Sequence, residues 1–277
     1  MSEATLTWID THVHWDASEF DQDRHAALIR AKMAGVVCCL NPSVSVSGFA
    51  HVQALANESQ CREDWPTILP AYGIHPLYVE QSRPDDLQQL EGQIKRHRPI
   101  AIGEIGLDAY PGAPDFSKQQ QLFEAQLALA AIHQLPVLLH VRHAVEAVIQ
   151  SIKRVQGRGQ KIPGGIAHAF NGSEVQANQL IKLGFLLGFG GSCTYSGSTR
   201  IRALAAQLPL SSIVLETDAP DMPASWLNGQ RNEPSQLPLI AQEVAKLRNM
   251  PMADLAATTG DNVIGLLDMS KNGAGAR

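Results

Sequence analysis

Eight short runs of apolar and β-branched residues recur along the chain, each followed by a helical pattern, and no other feature constrains the fold as strongly. The runs are Leu6–Asp10, Val36–Leu40, Thr67–Gly73, Ile100–Glu104, Val137–His140, Gly165–His168, Phe185–Gly190 and Ile213–Asp218. Their spacing is that of a βα unit, and strands alternating with helices assemble into parallel sheets. Between them, Leu87, Leu90 and Ile94 recur at helical spacing, as do Val145, Val148, Ile149, Ile152 and Val155, so each segment has an apolar stripe to pack on a sheet.

Local signals place several helix ends. Ser173 and Gln176, three apart, predict a capping box, and Gly184 is placed to stop that helix. Another helix is expected from near Ser235, with Leu237, Ile240, Val244 and Leu247 on one face and Pro238 tolerated in its first turn. A last helix is expected from about Met252 to Asp268. The chain has 277 residues, 44% of them hydrophobic, which is enough to bury a sizeable core. No composition break divides it, so residues 1–277 are expected to form one domain. The ordered core should run from about 5 to 268, with a flexible tail at 270–277. Two architectures fit: a single (β/α)8 TIM barrel with an additional C-terminal helix, or an open doubly wound sheet.

The polar residues separate the two. The first run ends Asp10-Thr11-His12-Val13-His14, and alternation puts Asp10, His12 and His14 on one face. In the fourth, Ile100, Ile102 and Glu104 share a face, and an inward glutamate must be paired or bind metal because a lone buried carboxylate is too costly. The fifth presents His140 with Arg142 beyond it, and the sixth presents His168. The eighth ends with Glu216 and Asp218 on one face, Asp218 nearer the mouth. Histidines and carboxylates at the same end of five strands match the carboxyl-terminal rim where barrel enzymes build their sites.

Four histidines and two carboxylates exceed the needs of one tetrahedral ion, and they suit a bridged two-metal centre. His12, His14 and Asp218 are assigned to a first ion, His140 and His168 to a second, with Glu104 bridging. Water activated by the ions would be the nucleophile, and Asp218 could take its proton. Histidine and carboxylate ligands suit zinc, magnesium, manganese and several other divalent ions without choosing among them.

Seven segments, in order, resemble the motifs of the TatD-type metal-dependent hydrolases. They are Asp10-Thr11-His12-Val13-His14-Trp15-Asp16, Gly73-Ile74-His75-Pro76, Gly103 to Asp108, Leu139-His140-Val141-Arg142, His168-Ala169-Phe170-Asn171-Gly172, Leu215-Glu216-Thr217-Asp218-Ala219-Pro220 and Arg231-Asn232-Glu233-Pro234. The resemblance covers about residues 8 to 268. It implies an amidohydrolase-like barrel, divalent metals and phosphodiester hydrolysis, often as a deoxyribonuclease, and it supports the same six ligands. His75 matches a position taken as a phosphate contact or a neighbour of the ligands. Val13, Ala169, Val141 and His143 depart from the common pattern, none of them at a ligand.

The leading functional expectation is therefore a nuclease acting on single-stranded DNA or DNA ends, with His75, Arg142 and Arg231 as candidate phosphate contacts. The alternatives are a two-metal hydrolase of an amide, ester or lactone, and a non-catalytic metal-binding protein. Lysine and arginine number 22 against 27 acids, a formal charge of −5, which excludes a basic nucleic-acid coat but not a local basic rim. Cys38, Cys39, Cys61 and Cys193 lack zinc-finger or redox spacing and are expected to be buried and reduced. Met1–Asp10 has no basic segment or extended apolar stretch, and nowhere does a run approach ~18 apolar residues. A cytoplasmic chain with no membrane segment and no obligate protein partner is expected.

Overall fold

The structure is a computed structural model that describes residues 6–272. All eight expected runs are strands: β1 Trp8–Asp10, β2 Val36–Pro42, β3 Thr67–Tyr72, β4 Ala101–Asp108, β5 Val137–Arg142, β6 Gly165–Ala167, β7 Phe185–Phe189 and β8 Ile213–Leu215. They form one sheet in the order β1 to β8. The sheet closes on itself. The Thr11 N–H donates to the Leu215 carbonyl at 3.1 Å, the Asp218 N–H to that of His12 at 2.9 Å, and Val13 bridges Ala219 in parallel. The fold is thus a (β/α)8 barrel, not an open sheet, because first and last strands hydrogen-bond to each other.

The helices are α1 Arg24–Met33, α2 Phe49–Ser59, α3 Asp86–His97, α4 Phe116–His133, α5 Val145–Gly157, α6 Glu174–Lys182, α7 Thr199–Gln207, α8 Leu237–Arg248 and α9 Met252–Asn272. The capping box at the start of α6 forms as expected, Ser173 and Gln176 each satisfying the other's backbone N–H. Pro238 sits in the first turn of α8. The last helix continues past the expected end at Asp268 to Asn272, so the start of the expected tail is helical, and residues 273–277 lie outside the described residues.

Two compact units are distinguishable. One holds the chain up to Asn41, Ala54–Leu69 and Gly188–Ile264; the other holds Pro42–Gln53, Pro70–Leu187 and the chain from Gly265. In the first, Trp15 and Phe20 are fully buried and their rings lie 4.8 Å apart. In the second, every residue of β4 is buried, as a strand covered on both faces requires. The apolar stripe of α5 lies inward as predicted, with Val148, Ile149, Ile152 and Val155 buried.

Three expectations need correction. The simple alternation Ile100, Ile102, Glu104 does not hold, because β4 starts at Ala101 and its register against β5 shifts between Ile102 and Ile105. Glu216 and Asp218 do not lie on a strand, since β8 ends at Leu215. Cys39 and Cys193 are buried free thiols, but Cys61 is exposed. Among the described residues, no helix is long and apolar enough to cross a membrane.

Candidate metal centre

In the first unit, the ends of β1 and β8 are fastened by a buried carboxylate. Asp10 accepts the N–H of His12 at 3.2 Å, the N–H of Thr217 at 3.0 Å and the Thr217 hydroxyl at 2.6 Å. Its complete burial outweighs those hydrogen bonds and pushes its pKa up to about 7. With the chain fixed there, His12 and His14 turn their Nε2 atoms to within 3.2 Å of each other. Oδ1 of Asp218 lies 3.7 Å from the His12 Nε2 and 3.9 Å from that of His14. Asp218 reaches this position in a left-handed backbone conformation, φ 57°, which aspartate adopts more readily than most residues. Glu216 goes elsewhere. It is buried against β7, where a side chain at Gly188 would begin 2.1 Å from its carboxylate oxygen.

In the second unit, three imidazoles surround one oxygen of the buried Glu104. His140 Nδ1 and His168 Nε2 each lie 3.0 Å from its Oε1, and His75 Nε2 lies 3.4 Å away. The opposite nitrogen of His140, Nε2, is 3.1 Å from Oδ2 of Asp108, which is also buried. Burial alone would lower the His140 pKa, but the Asp108 and Glu104 carboxylates outweigh it and the pKa is raised.

The local backbone explains these placements. The Glu104 N–H donates to the Ser43 carbonyl at 2.9 Å. Gly106, at φ 152°, lets β4 pass so close to β5 that a Cβ there would sit 1.9 Å from the His140 carbonyl oxygen. Two glutamines of α4 act as backbone mimics. Gln126 donates to the carbonyl of Ile74 at 3.0 Å and accepts its N–H at 2.8 Å, while Gln119 does the same for Asp108 at 3.0 and 2.8 Å. His75 follows Ile74, and its own N–H donates to the Val44 carbonyl at 2.9 Å.

Within each unit, one set of donors is close enough to hold metal: His12, His14 and Asp218 in one, and His75, Glu104 and His140 in the other, with His168 on the same Glu104 oxygen. In the second set His75 differs from the rest. Its Nδ1 accepts the Leu77 N–H at 3.1 Å, so the neutral ring carries its proton on Nε2, the atom facing Glu104. A protonated nitrogen donates hydrogen bonds and does not ligate.

The two arginines part company. Arg142 lies beyond His140, about half exposed, with its guanidinium 3.8 Å over the Tyr110 ring. Arg231 is engaged in an ion-pair network with Asp23 and Glu233. It donates to both carboxylate oxygens of Asp23 at 2.6 and 3.0 Å and to the Glu19 carbonyl at 2.7 Å, and it stacks 4.5 Å over Phe20.

Asp108 has the same parity as Glu104 along β4, and that signal could have marked it as a partner of the histidines. No local pattern in the sequence signals the roles of Asp10, Gln119 and Gln126.

The model of the TatD-related DNase family matches residues 9–268. The chain belongs to this family. A relative from Escherichia coli K12, described as the uncharacterized metal-dependent hydrolase YjjV, is 37% identical, over 95% of this chain and 98% of that protein. The crystal structure of that TatD homologue superposes with a TM-score of 0.88 at 36% identity, covering 96% of this chain and 99% of that one. A Pectobacterium carotovorum relative, described as the 3'-5' ssDNA/RNA exonuclease TatD, is 31% identical over 91% of this chain and 96% of that protein.

Proposed function

We propose that the chain is a divalent-metal-dependent phosphodiesterase that hydrolyses single-stranded nucleic-acid ends through a two-metal centre. His12, His14 and Asp218 would hold one ion, and Glu104, His140 and His168 would hold the other.

The observation that carries this reading is the spacing of the first donor set. Ligands about 2.0–2.2 Å from a tetrahedral ion are separated by ~3.3–3.6 Å. The 3.2 Å between the His12 and His14 nitrogens lies at that edge, and Asp218, at 3.7 and 3.9 Å, is a few tenths of an ångström beyond it. Neutral imidazoles and carboxylates also form the donor set expected for zinc, manganese and similar divalent ions. Ions held there would supply Lewis acidity and acidify water.

The remaining work falls to side chains. Asp218, partly open to solvent, accepts the proton of the attacking water. His75, through its Nε2–H, donates to a phosphate oxygen. Arg142 offsets phosphate charge, so Arg142→Ala should reduce the salt slope of oligonucleotide binding by about one unit. With its donors committed to Asp23 and Glu19, Arg231 is better read as a brace for the loop after β8 than as a phosphate contact. A net charge of −5 suits a short single strand better than broad capture of duplex.

The test is metal analysis of the purified protein, followed by assays on end-labelled single-stranded DNA, RNA and duplex DNA after chelation and re-addition of single metals. Metal-dependent shortening of single strands from one end is expected. Hydrolysis of amides or lactones instead, with none of any nucleic acid, would overturn the reading.

A further inference from the structure

We infer that Tyr110 and Arg142 form a stacking subsite for the nucleobase next to the scissile phosphate, an inference that rests on the phosphodiesterase reading. The pair stands at the carboxyl ends of β4 and β5. Tyr110 is 46% exposed and the Arg142 side chain 49%, yet they are not loose surface residues, because the guanidinium carbon lies 3.8 Å over the tyrosine ring. A guanidinium resting on an aromatic ring is a flat, cationic and sequence-tolerant platform, and bases stack on both surfaces.

The platform is fixed to the metal-ligand cluster by one carboxylate. Oδ1 of Asp108 accepts the Tyr110 N–H at 2.8 Å while Oδ2 holds His140 Nε2 at 3.1 Å. Beside it, the Ala109 N–H donates to the Arg142 carbonyl at 2.9 Å. Arg142 is only two residues past His140, so the stack keeps a set distance from the ligand. His143, the next residue, adopts a left-handed backbone (φ 55°) and meets Tyr110 edge-on at 5.6 Å. Strain of this kind at a residue other than glycine is concentrated at functional sites.

A solvated cation–π pair with no ligand would have no reason to discriminate a nucleotide from its abasic counterpart. A stacking subsite should. Removing an aromatic platform typically weakens binding by about 5- to 150-fold per base.

The experiment uses two oligonucleotides identical except at the 3′-terminal position, one carrying 2-aminopurine and the other an abasic residue. Affinity and 2-aminopurine quenching are measured on the chelated protein, so that no turnover is involved. The parent is expected to bind the base-bearing strand about tenfold more tightly and to quench its fluorescence. Tyr110→Leu should bring the two affinities to within about twofold and abolish quenching, while Tyr110→Phe should keep both. Equal binding of the two strands by the parent, or unchanged discrimination in Tyr110→Leu, would overturn the inference. Hydrolysis by the metal-loaded parent is scored separately: base-dependent binding without cleavage of either strand would refute the phosphodiesterase reading and leave the subsite standing.

Discussion

Asp108 and His140 are joined at 3.1 Å, Oδ2 to Nε2, on the side of the ring opposite Glu104. With His140 as the proposed ligand, this carboxylate would take the Nε2 proton and leave Nδ1, which faces Glu104 at 3.0 Å, to turn its lone pair to an ion on that side. Carboxylates in this relation to a ligating histidine typically change metal affinity by 10–100-fold. Asp108→Asn should accordingly weaken binding of the ion proposed at His140 by about that factor and leave the one proposed at His12 and His14 nearly untouched. Calorimetric titration with zinc or manganese would show it, and two unchanged affinities would contradict the role.

His140→Ala removes a donor from the second set only. His12, His14 and Asp218 remain as they were, so the purified variant should lose about one ion per chain relative to the parent. Elemental analysis measures this directly. Unchanged stoichiometry would mean that His140 ligates nothing.

The parts legible in the sequence are those whose partners lie close along the chain. His12 and His14, two apart beyond β1, converge as strand alternation predicts, and the Ser173–Gln176 box forms because both halves fall within one turn. Glu104 is legible even though simple strand alternation fails at the register shift in β4, because burial of a carboxylate demands partners whatever the local register. Long-range partners were not legible. Asp23 meets Arg231 across 208 positions, and nothing near Arg231 announces that its donors are taken. Gln119 and Gln126 are hidden for a different reason: a helical pattern treats glutamine as solvated, whereas here each amide pairs with both the backbone N–H and the C=O of one buried residue.

The Asp23 network makes stability sensitive to acid. Hydrogen bonds from Arg231 and then Arg30 hold the Asp23 carboxyl well below the usual range. Burial opposes the shift at Glu233, but bonds from Arg30 and Ser235 outweigh it and lower that pKa too. Folded values below unfolded ones mean stabilisation that is complete above the unfolded carboxylate range of about 3.9–4.3 and is lost as pH falls through the folded values. Asp23 is about one-third exposed, so solvent screening keeps the effect modest. The melting temperature of Asp23→Asn should lie below the parent's at pH 7 and approach it below about pH 4. A constant difference across that window would exclude the linkage.

Gly106→Ala tests whether the close passage of β4 and β5 is required. The new methyl would start 1.9 Å from the His140 carbonyl oxygen, a backbone atom with no rotamer to yield, and φ 152° is itself strained for alanine. The loss should equal or exceed the ~1–3 kcal/mol of an overpacked site, with the strands parting near His140. A urea midpoint equal to the parent's would show that the strands can part without cost.

Asp218→Asn separates two readings of the residue that follows β8. As a base, Asp218 offers one oxygen to an ion and the other to the proton of the attacking water, a role its place beside His12 and His14 allows. Asparagine keeps the shape and tolerates the left-handed backbone at φ 57°, so the variant should fold normally. It cannot accept the proton. Turnover should fall by at least the ~10²–10⁴-fold typical of lost general-base catalysis, with any weakened metal binding adding to the loss. The competing reading makes the side chain a local backbone cap, a task asparagine performs about as well as aspartate. Measuring kcat at saturating metal removes the affinity contribution and isolates proton transfer. A near-parental kcat under those conditions would refute the catalytic role and move the search for the base to another group at the mouth.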